Sequence, residues 1–171
     1  EVHLAATQVI SRPVYPASDL KAARWIKANS AVCELTGYEL EKITKDKLYQ
    51  SALHLYEVKD ALEKHLSNRT NNLFDLEDKI ILYDLTNTYF EGDKRNSRLA
   101  QFGRSKEKRS DAKLVVLALV VNIEGFIKYS SILEGNITDS KTLSAMIEKL
   151  SKHTCGHNAV VVLDAGIATE D

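Results

Sequence analysis

Hydrophobic positions along the chain fall into two regimes. Up to about residue 75 they recur at helical spacing, and from 79 onward they come in short runs broken by Gly, Asn and charged residues. In the first regime Asp19 is expected to cap a helix with apolar positions at Leu20, Ala23, Trp25, Ile26, Val32 and Leu35. Gly37 suits the left-handed residue beyond its end. A second helical stretch should follow Thr44 and carry Leu48, Ala52, Leu55, Tyr56, Val58, Leu62 and Leu66 on a Lys- and Glu-rich background. The polar stretch 68–72 reads as a linker or frayed helix end.

The second regime opens with residues 80–86, apolar and partly β-branched, which predict a buried central strand. Residues 114–123 predict a second strand, Glu124-Gly125 a two-residue turn, and 126–133 a third strand returning as a hairpin. Gly135-Asn136 breaks the chain. Thr138 or Asp139 then caps a helix with Leu143, Met146, Ile147 and Leu150 at i, i+3, i+4 and i+7, and Gly156 ends it. Residues 159–164 predict a fourth strand, apolar until its last residue. The order strand, strand, strand, helix, strand predicts an α/β domain over 79–171 with a mixed sheet, preceded by a helical region over 1–75.

Composition narrows the function classes. The chain has 171 residues, 44% hydrophobic and 27% charged, with a formal net charge of −1, so any nucleic-acid contact must come from a local basic patch. Two cysteines, Cys33 and Cys155, are too few for a disulfide scaffold. The longest apolar run, 114–121, is eight residues against the ~20 of a membrane span, and no signal-peptide pattern opens the chain. These features lead to the expectation of a soluble cytoplasmic protein. The first residue is Glu1, and the chain stops at Asp171 just after an apparent helix start, so a fragment of a longer protein is expected.

The candidate chemistry rests on two aspartates. Asp84 follows four apolar or aromatic residues and, with period two, shares a strand face with Ile80, Leu82 and Thr86. Buried there, its carboxylate would need a cation, hydrogen bonds or a shifted pKa. Asp164 ends an apolar strand in the same way. If the two strands are parallel neighbours, the carboxylates meet at one edge of the sheet and form an oxygen-ligand site suited to Mg²⁺ or Mn²⁺. The plainer alternatives are a helix cap for Asp164 and a hydrogen-bonded buried carboxylate for Asp84. The segment 91–113 adds eight basic residues and four acidic ones, a net +4, and Arg104, Lys106, Lys108 and Arg109 within it are candidate phosphate contacts. His153, Cys155 and His157 lack the spacing of a zinc site and read as a helix end.

Three segments then suggest a family. Tyr83-Asp84-Leu85-Thr86-Asn87-Thr88-Tyr89-Phe90-Glu91-Gly92 resembles the first-aspartate signature of DDE transposases of the bacterial insertion-sequence-four type. Glu134-Gly135-Asn136-Ile137-Thr138-Asp139 is similar to their Gly-Asn and Asp segment, and Val161-Val162-Leu163-Asp164-Ala165-Gly166-Ile167-Ala168 to their second-aspartate signature. The resemblance covers 79–171 strongly and the helical front weakly. It implies an RNase H-like fold of the retroviral integrase superfamily, here without its fifth strand and final catalytic helix. It also implies Asp84 and Asp164 as catalytic metal ligands, Mg²⁺ or Mn²⁺ as cofactor, transposon-end and target DNA as partners, and a possible homodimer. The third acidic ligand would lie beyond the chain end, leaving this stretch inactive alone. Another RNase H-like nuclease or resolvase, or a non-catalytic α/β interaction domain, are the competing readings.

Overall fold

The structure is a computed structural model that describes residues 1–92, 94–103, 111–137, 139–153 and 159–163. The chain forms two compact units, residues 1–60 and 61–171. The first is all helical: α1 (Val2–Val14), α2 (Asp19–Asn29), α3 (Val32–Thr36), a 3₁₀ turn at Leu40–Lys42, and α4 (Lys45–Glu57). Its core gathers Leu4, Ala23, Ile26, Val32, Ile43 and Leu48, with Trp25 packed against it and stacked on Tyr15. A helix follows Thr44 as expected, capped by its hydroxyl, which accepts from the Lys47 N–H at 3.2 Å, but the stretch expected to continue through Leu66 is interrupted after Glu57.

The start of α2 differs from expectation. Ser18, not Asp19, accepts from the Lys21 N–H, while Asp19 sits in the first turn paired with Arg12 at 2.9 Å. The helix expected to run on through Val32 and Leu35 breaks at Ser30, whose hydroxyl accepts from the Val32 N–H at 3.1 Å, and α3 ends at Gly37 with φ of 70°. Leu20 and Leu35 fall off the buried stripe and are exposed.

In the second unit α5 (Lys59–Phe74) runs straight through 68–72, where a linker or frayed helix end was expected. The reason is tertiary. Glu63, Ser67 and Asn71, four residues apart, form a polar stripe bonded to the sheet, while Leu62, Leu66 and Leu73 are exposed. The boundary between the units falls at Asp60, within the first turn of this helix.

Four strands form a mixed sheet: β1 (Ile80–Tyr89), β2 (Leu114–Asn122), β3 (Ile127–Glu134) and β4 (Val160–Leu163). Their spatial order is β3-β2-β1-β4, with β1 antiparallel to β2 and parallel to β4. The expected α/β class with a mixed sheet is therefore observed. Strand β1 is longer than predicted because its polar second half, Asn87 to Tyr89, pairs with Val116, Val115 and Leu114. Helix α6 (Asp139–His153) covers one face of the sheet. Met146 and Leu150 are buried against Ile81, Tyr83, Ala118, Val120 and Tyr129, and the Tyr83 hydroxyl donates to Thr142 at 2.9 Å. Ile147, expected in that apolar stripe, is exposed. Among the described residues no helix is long and apolar enough to cross a membrane.

A buried cation ties α5 to the sheet. The register shifts between Val120 and Val121, so that Tyr129 and Ile127 pair while Lys128 is the extra residue of a bulge. Its side chain is fully buried, and Nζ lies 2.8 Å from Asp78, 2.6 Å from Asn71 Oδ1 and 3.3 Å from Ser67. Asn71 and Asn122 both donate to Asp78 as well. The Ser130 N–H turns to Glu63 instead of a strand partner, so α5 satisfies part of the free edge of β3.

Two outcomes follow for stability. Lys128→Met strands the Asp78 carboxylate and should lower unfolding free energy by about 3 kcal/mol, with Lys128→Met/Asp78→Asn losing less than the two single changes combined in denaturant titrations. Gly135→Ala should cost about 2 kcal/mol or more in the same assay. Gly135 is buried where the segment around Gln101 meets β2, and an added Cβ would lie 2.7 Å from the Gln101 carbonyl oxygen and closer still to that of Leu114.

Candidate functional site

Strand β1 separates its side chains cleanly. Ile81, Tyr83 and Leu85 turn to the core under α6, while Ile80, Leu82, Asp84, Thr86 and Thr88 occupy the other face. Asp84 is opposite Leu119 of β2, in the middle of a face that includes Leu82, Leu117 and Val121. The predicted face is therefore observed, but the expected burial is not: Asp84 is exposed, as are Ile80 and Leu82 at 38% each. The continuous apolar run preceding Asp84 implied coverage on both faces, whereas α6 packs on one. No desolvation penalty then forces a partner on Asp84, and among the described residues its carboxylate has no hydrogen-bond or ion-pair partner. It offers its oxygens freely to a ligand arriving from solvent.

The neighbouring strand sets what can arrive beside it. β4 pairs in register with β1, Ile80 with Val160, Ile81 with Val161, Leu82 with Val162 and Tyr83 with Leu163. Val161 and Leu163 pack toward the α6 core, and Val160 and Val162 are exposed on the Asp84 face. In sequence, the last described pair, Tyr83 and Leu163, is followed by Asp84 on one strand and Asp164 on the other. Asp164 itself lies outside the described residues, as do Arg104, Lys106, Lys108 and Arg109, and Cys155 and His157. Among the described residues, no group of three or more His, Cys, Asp or Glu side chains is gathered as a metal site.

The described flanks of the basic segment are tied to the sheet. Phe90 N–H donates to the Lys113 carbonyl at 2.8 Å, and Gln101 forms a bridge with Leu114 in both directions. The Ala100 N–H donates to Ser97 Oγ at 3.0 Å, and Ala100 is fully buried. Lys94, Lys113, Phe90 and Phe102 come together here. The phenylalanines were not singled out from sequence, although their interleaving with lysines was visible there. His54 and His65 are exposed on helices, and Cys33 is buried, which pushes its thiol pKa up. Compared with protein-family models, curated proteins and solved structures, the chain finds no match.

The β1–β4 register can be checked covalently. Leu82→Cys/Val162→Cys should form a disulfide under mild oxidation, because parallel partners on one face meet the required Cα separation of roughly 4.4–6.8 Å. Leu82→Cys/Val161→Cys, with side chains on opposite faces, should remain reduced when scored by thiol labelling.

Proposed function

We propose that this chain carries the first two acidic ligands of a metal-dependent DNA transposase of the insertion-sequence-four type, Asp84 and Asp164, on an RNase H-like sheet. The observation that carries the reading is the in-register parallel pairing of β1 and β4. Its last described pair is followed in sequence by Asp84 and by Asp164, and Asp84 is on the face opposite α6. The described parts of the three sequence segments that resemble that family begin on β1, at the end of β3 and on β4, in that order.

The donor set fits a hard divalent cation. Asp84 presents an exposed carboxylate free of partners among the described residues, and oxygen is the ligand atom Mg²⁺ and Mn²⁺ prefer. Held between such carboxylates, the metal would lower the pKa of a bound water or 3′-hydroxyl and neutralise charge developing on the transferred phosphoryl group. The protein's own part is placement. Pairing with β2 along the length of β1 and with β4 fixes the Asp84 backbone, and Tyr83, hydrogen-bonded to Thr142, anchors the strand from the core side. The net +4 segment that follows β1 in sequence supplies phosphate contacts, with Arg104, Lys106, Lys108 and Arg109 as the proposed DNA ligands. The strand transfer itself, the third acidic ligand and any dimer belong to the longer protein proposed here.

Mn²⁺ titration followed by electron paramagnetic resonance tests the site. Wild type should show a bound-metal population that Asp84→Asn and Asp164→Asn each abolish, while Asp75→Asn, an exposed control, leaves it intact. Identical titrations for wild type and the two site variants would remove the shared-cation reading.

A further inference from the structure

We propose that the aromatic pocket at the exit of β1 holds an unpaired base of a single-stranded nucleic acid. The inference rests on the DNA-processing function above and names a substrate form that the function alone does not require. The pocket, about 190 Å³, is lined by Phe90, Gly92, Phe102, Ala112 and Lys113, together with the acids Glu91 and Asp111. At ~30 Å³ per water, that is room for about six waters, the size class of one planar ring.

The walls are held from the backbone. Phe90 and Lys113 are joined by the N–H to carbonyl bond at 2.8 Å, and the Gln101–Leu114 bridge carries the chain into Phe102. Lys94 folds back until Nζ is 5.3 Å from the Phe90 ring centroid, and Lys113 Nζ is 6.0 Å from that of Phe102 while donating to the Lys94 carbonyl at 3.3 Å. Two aromatic rings and the Lys113 side chain thus line one opening, with Lys94 lying over the Phe90 ring. Gly92, with φ of 103° and open space where a Cβ would project, lets a ligand approach the backbone closely.

The chemistry selects the occupant. Phe102 is 58% exposed, an apolar ring left in water without a core role. A nucleobase offers a π face to such a ring, and its flanking phosphates offer charge to Lys94 and Lys113. Glu91 and Asp111 also line the pocket, and each has a further interaction within the protein. A duplex keeps its base faces stacked inside, so ring stacking favours an unpaired strand. From Asp84 the pocket is six residues along the chain, roughly 20 Å at ~3.3 Å per strand residue.

The test is fluorescence anisotropy with a labelled single strand and a duplex of the same sequence, on the full chain, in excess chelator. Wild type should prefer the single strand. Phe102→Ala and Phe102→Leu should weaken single-strand binding at least about five-fold, as loss of one stacked base implies, and duplex binding less than about two-fold. Phe102→Trp should restore it, and Lys113→Met should reduce the salt slope by ~0.7 for one lost phosphate contact. Unchanged thermal midpoints verify that the exposed Phe102 variants are folded. No single-strand preference, wild-type binding by Phe102→Leu, or equal losses on both ligands would overturn the pocket. Chelation keeps the outcome independent of the metal ligands, and Asp75→Asn, an exposed control, should bind the single strand as wild type does. Failure here therefore leaves the shared-cation reading standing, and loss of that reading leaves this binding measurement interpretable.

Discussion

Two parallel strands become neighbours only when the chain between them crosses over, and here the crossover from β1 to β4 passes through β2, β3 and α6. That pairing, Ile80 through Tyr83 against Val160 through Leu163, is the constraint on which the remainder depends. It makes β1 an interior strand of the sheet, gives α6 a continuous apolar surface to cover, and brings together two chain segments eighty residues apart, each followed in sequence by an aspartate. Removing it would leave β1 as an edge strand and Asp84 as an isolated surface carboxylate.

The sheet has two unlike faces, and the difference organises the chemistry. One is closed by α6 through Met146 and Leu150 and secured by the Tyr83–Thr142 hydrogen bond. The other carries Asp84 among Leu82, Leu117, Leu119 and Val121. At the opposite edge, the sheet is braced by a polar device: Lys128, pushed out of alternation by a bulge, reaches Asp78, Asn71 and Ser67. Such a buried ion pair contributes little net stability compared with an apolar packing, yet breaking it is costly. It therefore fixes where α5 lies more than how stable the unit is.

Periodicity and capping made much of this fold legible. The run 80–86 identified β1, the Glu124-Gly125 turn marked the hairpin, the Thr44 cap marked α4, and period two put Asp84 on the correct face. Expectations failed where tertiary partners override local signals. Asn68 to Asn71 reads as a linker until Ser67 and Asn71 meet Lys128, and Lys128 itself is recognisable as buried only once the bulge is known. Gly135 does break the chain after β3 as read, but its second role, letting the Gln101 segment approach β2, is not visible in sequence. Asp84 looked buried because an apolar run cannot report which of its faces has a covering helix. At the site, the residue types were readable, while the partnership of Phe90 and Phe102 with Lys94 and Lys113 depends on a loop returning to the sheet.

The decisive quantity is the position of one ion relative to two side chains. Crystals of the chain grown with Mn²⁺ and recorded at the manganese edge would give it directly. Shared coordination predicts an anomalous peak about 2.1–2.2 Å from a carboxylate oxygen of Asp84 and of Asp164 alike. Carboxylates on opposite faces of the sheet, or a peak bound by neither, would contradict it.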